Sequence, residues 1–336
     1  MGSKLDLKFW LGIGVSLFFL ILLFNEIDFH QLASALRSAD CRYIFLAVVC
    51  TFISYFVRAI RWRYLLISEK DIPISSLYPA TIIGYMANNL LPARLGEFVR
   101  AYTLAQREQL EAPAVFASLV IDRLFDGFSV LILLLITLFT VQLPAGMEDA
   151  AQTLKAGGTV MFLLYCGIVV FLYLLKRQTV RTLSAVKYML QPFPKSISEK
   201  CIPLLGSFIG GIRLSSRSGH IAALVMSSAV IWLMCVLSVE MTLQSFAIHL
   251  PVSASIFILI LLIFAVMVPA SPGFIGTYHY ACYKGLSVFG ISKTVSVSVA
   301  LVMHGTGFFP VIGVGLYYLW KNKLSLNELQ RAEKAR

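Results

Sequence analysis

Residues 74–102 read ISSLYPATIIGYMANNLLPARLGEFVRAY. The stretch starts as an apolar run, turns polar at Asn88 and Asn89, meets Pro92, and goes on to Arg94, Glu97 and Arg100. Its apolar part, 74–91, is interrupted and falls short of two full crossings at roughly 20 residues each. Which side it enters from decides the fold. The apolar run before it, about 43–60, ends in Arg58, Arg61 and Arg63, and the next long run starts near 113. Basic flanks face the cytoplasm. The chain therefore arrives on that side, and the long run must leave from it. Residues 74–91 enter and return on the same face, which predicts a re-entrant hairpin broken at Asn88-Asn89 and Pro92. Irregular backbone at membrane depth is tolerated only where it is buried in protein or lines a watery cavity. A cavity is predicted here.

The rest of the chain is consistent with a membrane setting. Of 336 residues, 58% are hydrophobic and 13% charged, and mean hydropathy is +0.82. A soluble domain carries roughly a quarter charged residues, so there is too little polar surface here for a water-soluble fold. Further apolar runs lie at about 9–24, 113–142, 157–175, 220–247, 253–268, 275–290 and 294–320. They are continuous rather than alternating, which favours helices over barrel strands. The expected fold is all-α: a polytopic integral membrane helical bundle of about 8 transmembrane helices with one or two re-entrant or broken helices. It reads as a single transmembrane domain over 1–336. The first run follows Lys4 and Lys8 and leads into Asn25-Glu26-Ile27-Asp28 with no small-residue cleavage site, so it is read as a retained helix.

The net charge of +11 is placed between the apolar runs. The N-terminus, the Arg58–Lys70 stretch, residues 176–218 and the tail 321–336 are basic, whereas the loops near 25–42 and 143–156 are not. This predicts a cytoplasmic (inner) membrane protein with both termini in the cytoplasm. It also accounts for the charge without nucleic acid, for which no binding motif is present. Within 176–218, basic residues alternate with Val180, Leu183, Val186, Met189, Leu190, Phe193 and Ile197. Two readings stand: an amphipathic helix on an anionic leaflet, or a plain basic loop that sets topology. The six cysteines show no CxxC spacing and most lie in apolar runs, as packing residues do.

Two further segments put expensive groups near the membrane. Asp122-Arg123-Leu124-Phe125-Asp126-Gly127 lies within the long run that starts near 113. Arg94, Glu97 and Arg100 are spaced three apart, and Asp122 and Asp126 one turn apart, so each set shares a helix side. Ionisable groups at depth cost a few kcal/mol each and normally pair or face a cavity. The expectation is that Arg94, Glu97, Arg100, Asp122, Arg123 and Asp126, with Asn89, meet in one polar pocket. The other segment is Pro269-Ala270-Ser271-Pro272-Gly273-Phe274-Ile275-Gly276-Thr277-Tyr278-His279-Tyr280. Its Pro269-Ala270-x-x-Gly273 repeats Pro92-Ala93-x-x-Gly96. Paired Pro/Gly breaks in two halves point to a transporter site between repeats; parity allows the second hairpin to dip from the opposite face, as in an inverted repeat, and three ordinary crossings after 250 satisfy parity equally. Pro92, Gly96, Pro272, Gly273 and Gly276 are the structural breaks.

NNLLPARLGEFVRAY, DRLFDG and PASPGFIGTYHY resemble the transmembrane, flippase-like domain of the lysylphosphatidylglycerol synthase family, over roughly 10–320. The resemblance implies a lipid-facing function. It places Arg94, Glu97, Arg100, Asp122, Arg123 and Asp126 on the family's motif positions. The chain stops after its last helix, so the soluble aminoacyl-transferase domain of the resistance factors in that family is not expected. Where many members carry an acid near the end of the last motif, His279 stands.

Three functions are weighed. A lipid translocase would use the arginines to hold a phosphate-bearing headgroup, with the carboxylates orienting them and His279 at the second break. Its partner would be a membrane lipid, an anionic phospholipid or a polyprenyl phosphate. A non-catalytic partner of a lipid or glycolipid biosynthetic enzyme is the alternative. A membrane-embedded transferase would use Asp122 or Glu97 as base and His279 as proton carrier. No catalytic constellation, metal-ligand spacing, cofactor motif or nucleotide-binding motif is readable. Oligomeric state is left open.

Overall fold

The computed structural model describes residues 14–15, 17–23, 27–66, 71–91, 95–140, 148–191, 195–211, 218–267 and 272–322. Among these residues the regular structure is all helical. After a helical stretch at 17–23 come α1 (Phe29–Ser38), α2 (Cys41–Leu66), α3 (Ile74–Leu90), α4 (Gly96–Glu108) and α5 (Ala112–Thr140). A middle section holds α6 (Glu148–Arg177), α7 (Thr179–Met189) and α8 (Lys195–Gly211). Then follow α9 (Ser218–Ser245), α10 (Val252–Met267), a 3-10 turn (Pro272–Phe274), α11 (Thr277–Ser287) and α12 (Lys293–Lys321). The chain is a polytopic membrane bundle. Four helices combine the length and the apolar composition of a crossing: α2, the 156–177 part of α6, α9 and α12. The 29-residue α5 is as long but carries Asp122, Arg123 and Asp126 in its middle.

Local chemistry sets the helix ends. Asp28 caps α1, accepting from the amides of His30 at 2.8 Å and Gln31 at 3.1 Å. Leu91 turns extended and its amide closes α3 on the Ala87 carbonyl. Pro113 sits in the first turn of α5, where its missing N–H is no loss.

The two short helix pairs are the re-entrant elements. α3 and α4 have 17 and 13 residues, α10 and α11 have 16 and 11, at or below the short end of crossing length. The run at 275–290, which reads as one apolar segment, is therefore the second arm of a hairpin. The lengths fit a hairpin better than three ordinary crossings.

The body is built twice. Helix–hairpin–helix describes α2, α3–α4, α5, and again α9, α10–α11, α12. Cys41, Ile74 and Gly96 correspond in order to Ser218, Val252 and Gly273 at an offset constant to one residue. The packing is reciprocal: α3 lies against α12 and α10 against α5, while α2 and α9 form the most extensive helix pair. That central pair is antiparallel. The Asp40 amide bonds the Ser245 carbonyl, Thr51 Oγ1 meets Ser238 Oγ, Arg61 reaches Ser228, and Tyr64 lies against His220. The second unit is thus inverted relative to the first.

The basic middle section is helical, not a plain loop. α7 buries none of its residues and exposes Val180, Tyr188 and Met189. α8 packs on α5, with Ser207 donating to Glu111.

Candidate functional site

The first break and the middle of α5 meet at the C-terminal half of α2. Arg61 is 0% exposed and Asp122 is 0% exposed. The Arg61 fork reaches Asp122 Oδ1 at 2.8 Å through Nε, Asp126 Oδ1 at 2.7 Å through Nη2, and Ser228 Oγ of α9 at 2.9 Å through Nη1. Arg58, one turn earlier, reaches Asp126 Oδ2 at 2.7 Å. From α4, Arg100 reaches Asp122 Oδ2 at 3.2 Å and lies over the Trp62 ring at 4.0 Å. Trp62 is fixed by its Nε1–H on Ser118 Oγ at 2.9 Å. Such charges stay in an apolar interior only when paired and hydrogen-bonded.

Arg123 forms the open side, its side chain 36% exposed. It lies 3.0 Å from Asp126 and 3.1 Å from Glu97, and donates to the Tyr85 hydroxyl at 3.0 Å. Glu97 in turn takes a hydrogen bond from Asn88 Nδ2 at 3.3 Å, and Asn88 Oδ1 accepts from the Gly96 amide at 2.8 Å. The break is thereby tied to the cluster. Gly96 has no room for a side chain: a Cβ there would overlap the Gly84 carbonyl oxygen and the Asn88 amide.

Glu97, Arg100, Asp122, Arg123 and Asp126 converge, as their spacing predicts. Arg94 and Pro92 lie outside the described residues. Asn89 is half-buried next to Asn88, and Asn88 is the residue that holds Glu97 and Gly96. Sequence reasoning missed Arg58, Arg61, Trp62, Tyr85 and Ser228. The first two read as cytoplasmic topology charges; among the basic residues ending α2, only Arg63 behaves so, in an exposed pair with Asp71. Their three-residue spacing on an apolar helix was the available signal.

The donors exceed the acceptors. Four guanidinium groups (Arg58, Arg61, Arg100, Arg123) face three carboxylates (Glu97, Asp122, Asp126). Arg100 is 1% exposed, yet its Nε and Nη2 have no hydrogen-bond partner among the described residues, nor has Thr103 Oγ1 one turn on. Arg123 Nε is close to Glu97 but outside hydrogen-bonding angle. Asp122 and Asp126 are each held by more than one guanidinium, which suits anchors rather than proton acceptors. Among the described residues no group of three or more His, Cys, Asp or Glu could hold a metal.

His279 stands apart, at the second break. Gly273, Phe274 and Gly276 there have φ of +75°, +56° and +95°, a left-handed run that costs a non-glycine residue about 1–2 kcal/mol. His279 Nδ1 accepts from the Gly276 amide at 3.4 Å, and its ring lies 4.9 Å from that of His304. Residues 269–271 of that motif lie outside the described residues.

An inverted pair of helix–hairpin–helix units with a buried ion cluster at one break defines a class, the broken-helix polytopic membrane proteins. The chain belongs to the family described as the lysylphosphatidylglycerol synthase TM region, which it matches over residues 9–315. A UPF0104 membrane protein of Methanothermobacter thermautotrophicus is 25% identical over 296 residues, covering 85% of this chain and 87% of that one. A UPF0104 membrane protein of Pyrococcus horikoshii is 23% identical over 330 residues, covering 93% and 96%. The Glycosyltransferase AglD of Haloferax volcanii is 31% identical over 150 residues, 44% of this chain and 24% of that protein. No solved structure matches.

Proposed function

We propose that the protein moves a phosphate-bearing lipid headgroup across the cytoplasmic (inner) membrane, binding it at the arginine cluster of the first break. Arg100 carries the reading: a buried guanidinium with two N–H groups unsatisfied is a costly arrangement that a phosphate oxygen pair would complete. The headgroup enters past Arg123 and Glu97, the exposed members. Arg58, Arg61, Asp122 and Asp126 hold the frame, and Arg94 and Asn89 remain candidates for the rim. The lipid is an anionic phospholipid or a polyprenyl phosphate. Both termini and α7 face the cytoplasm. The match to part of a glycosyltransferase favours a second reading, a membrane partner serving a lipid or glycolipid biosynthetic enzyme.

The test is reconstitution of the full chain in vesicles with acyl-labelled phosphatidic acid, phosphatidylglycerol or polyprenyl phosphate. At least one lipid should change leaflet faster than in empty vesicles, and Arg100→Gln should reduce that rate at least tenfold. If no candidate moves faster than in empty vesicles, the partner reading stands instead. Orientation is checked separately: in a cysteine-free background, a cysteine at exposed Ser34 should label from outside cells and one at exposed Ser184 should not.

A further inference from the structure

The inverted repeat gives the ion cluster a counterpart. Arg123 and His304 stand on the corresponding helices α5 and α12, one turn apart in the register set by Gly96 and Gly273. The second unit thus carries an imidazole within a turn of where the first carries its exposed guanidinium. His304 lies beside the second break, with His279 edge-on to its ring at 4.9 Å. Because His279 Nδ1 accepts from Gly276, its proton sits on Nε2. The pair presents ring N–H donors in a segment of strained backbone, where strain clusters at functional sites.

A line of hydroxyls joins the two places. Arg123 donates to Tyr85, whose ring lies 4.5 Å from Tyr55 on α2. On the side of the second break, the Tyr278 ring lies 5.0 Å from His304. Arg123, Tyr85, Tyr55, Tyr278 and His304 are all half-buried. Polar groups turned directly to lipid are disfavoured at this depth, so these side chains are expected to face protein or a cavity.

We infer that His279 and His304 form a second phosphate-oxygen station, the weak end of a path whose strong end is the arginine cluster, with the three tyrosine hydroxyls as the steps between. The inference rests on the proposed lipid translocation. A neutral imidazole offers one donor per ring and no fixed charge, whereas each guanidinium offers a planar charged fork. The headgroup is therefore gripped at one break and let go at the other.

The experiment pairs binding with movement, using the detergent-purified full chain and short-chain phosphatidic acid for the first and vesicles with acyl-labelled phosphatidic acid for the second. His304→Phe and His279→Phe should lose movement about tenfold, with affinity, set mainly at the arginine cluster, falling much less. His304→Gln, which keeps a donor, should recover most of it and stands in if the Phe variants do not fold. Inorganic phosphate at excess should compete with phosphatidic acid if the stations take free phosphate, and should not if they take the lipid headgroup. His304→Phe, His279→Phe and His304→Gln all moving lipid at the wild-type rate overturns the second station and leaves the proposed function intact. Wild-type protein that neither binds nor moves the probe overturns both.

Discussion

The two inverted units share one architecture and differ in chemistry. In the first, the hairpin closes on Arg58, Arg61, Arg100, Asp122 and Asp126. In the second, the matching interior is an apolar cluster of Val239, Leu243, Ile258, Cys282, Val299, Ala300 and Met303. The fold therefore does not require the ions, since the second copy stands without them. Pairs of buried charges often contribute little net stability compared with well-packed apolar groups. Their retention in one copy alone points to use rather than support.

The comparison is broken first at Asp122. Asp122→Ala leaves Arg61 and Arg100 without a shared carboxylate and should cost about 3–5 kcal/mol. Met303→Leu, in the neutral counterpart, should cost less than about 1.5 kcal/mol. Thermal unfolding in detergent measures both, and equal losses would remove the asymmetry. Next come the glycines of the two breaks. Gly96→Ala drives a Cβ into backbone, whereas Gly273→Ala meets the side chain of Phe308 at 2.9 Å and a φ of +75°. Gly96→Ala should cost about 3 kcal/mol or more and Gly273→Ala about 1–2 kcal/mol; the reverse order in folded yield would show that the first break relaxes.

The smallest contrast lies on α9. Ser228→Ala removes an acceptor from buried Arg61 and should cost about 1–3 kcal/mol. Ser238→Ala removes a hydroxyl that donates to the Ala47 carbonyl at 3.1 Å and meets Thr51 Oγ1, with no charged partner, and should cost about 0.5–1.5 kcal/mol. A chemical-denaturation series on the two variants resolves the difference, and a Ser238 loss above the Ser228 loss would place the strain at the central crossing instead.

Much of this was legible in residue spacing. An interruption after the 74–91 run and the shared side of Asp122 and Asp126 follow from helical periodicity and the cost of ions at depth; the helix nevertheless carries through Asn88 and Asn89, expected as the break, to Leu90, and Pro92 lies outside the described residues. Arg58 and Arg61 were not legible as site residues, because a basic helix end satisfies the positive-inside pattern whether its side chains turn outward or inward. Only the approach of α5 decides. Trp62, Tyr85 and Ser228 carry no local signal, since each is defined by a partner on another helix. The pairing of His279 with His304 needs α11 folded back on α12.

The antiparallel crossing of α2 and α9 has a consequence for the section between the units. Each unit holds an even number of full crossings, so two copies joined head to tail would face the same way. To turn the second copy over, the connector must traverse the bilayer an odd number of times. α6 supplies that passage, and little else is asked of it: only 6% of its apolar window is buried, against 22–39% for the other long spans. Its close fits include Tyr165, set into the notch at Gly127, and Gly158, over which Leu134 packs. It behaves as a turnstile in the wiring of the chain. A foreign apolar helix of equal length that keeps that tyrosine should serve in its place, whereas excising it would mount the second unit upside down and leave Arg61 without Ser228.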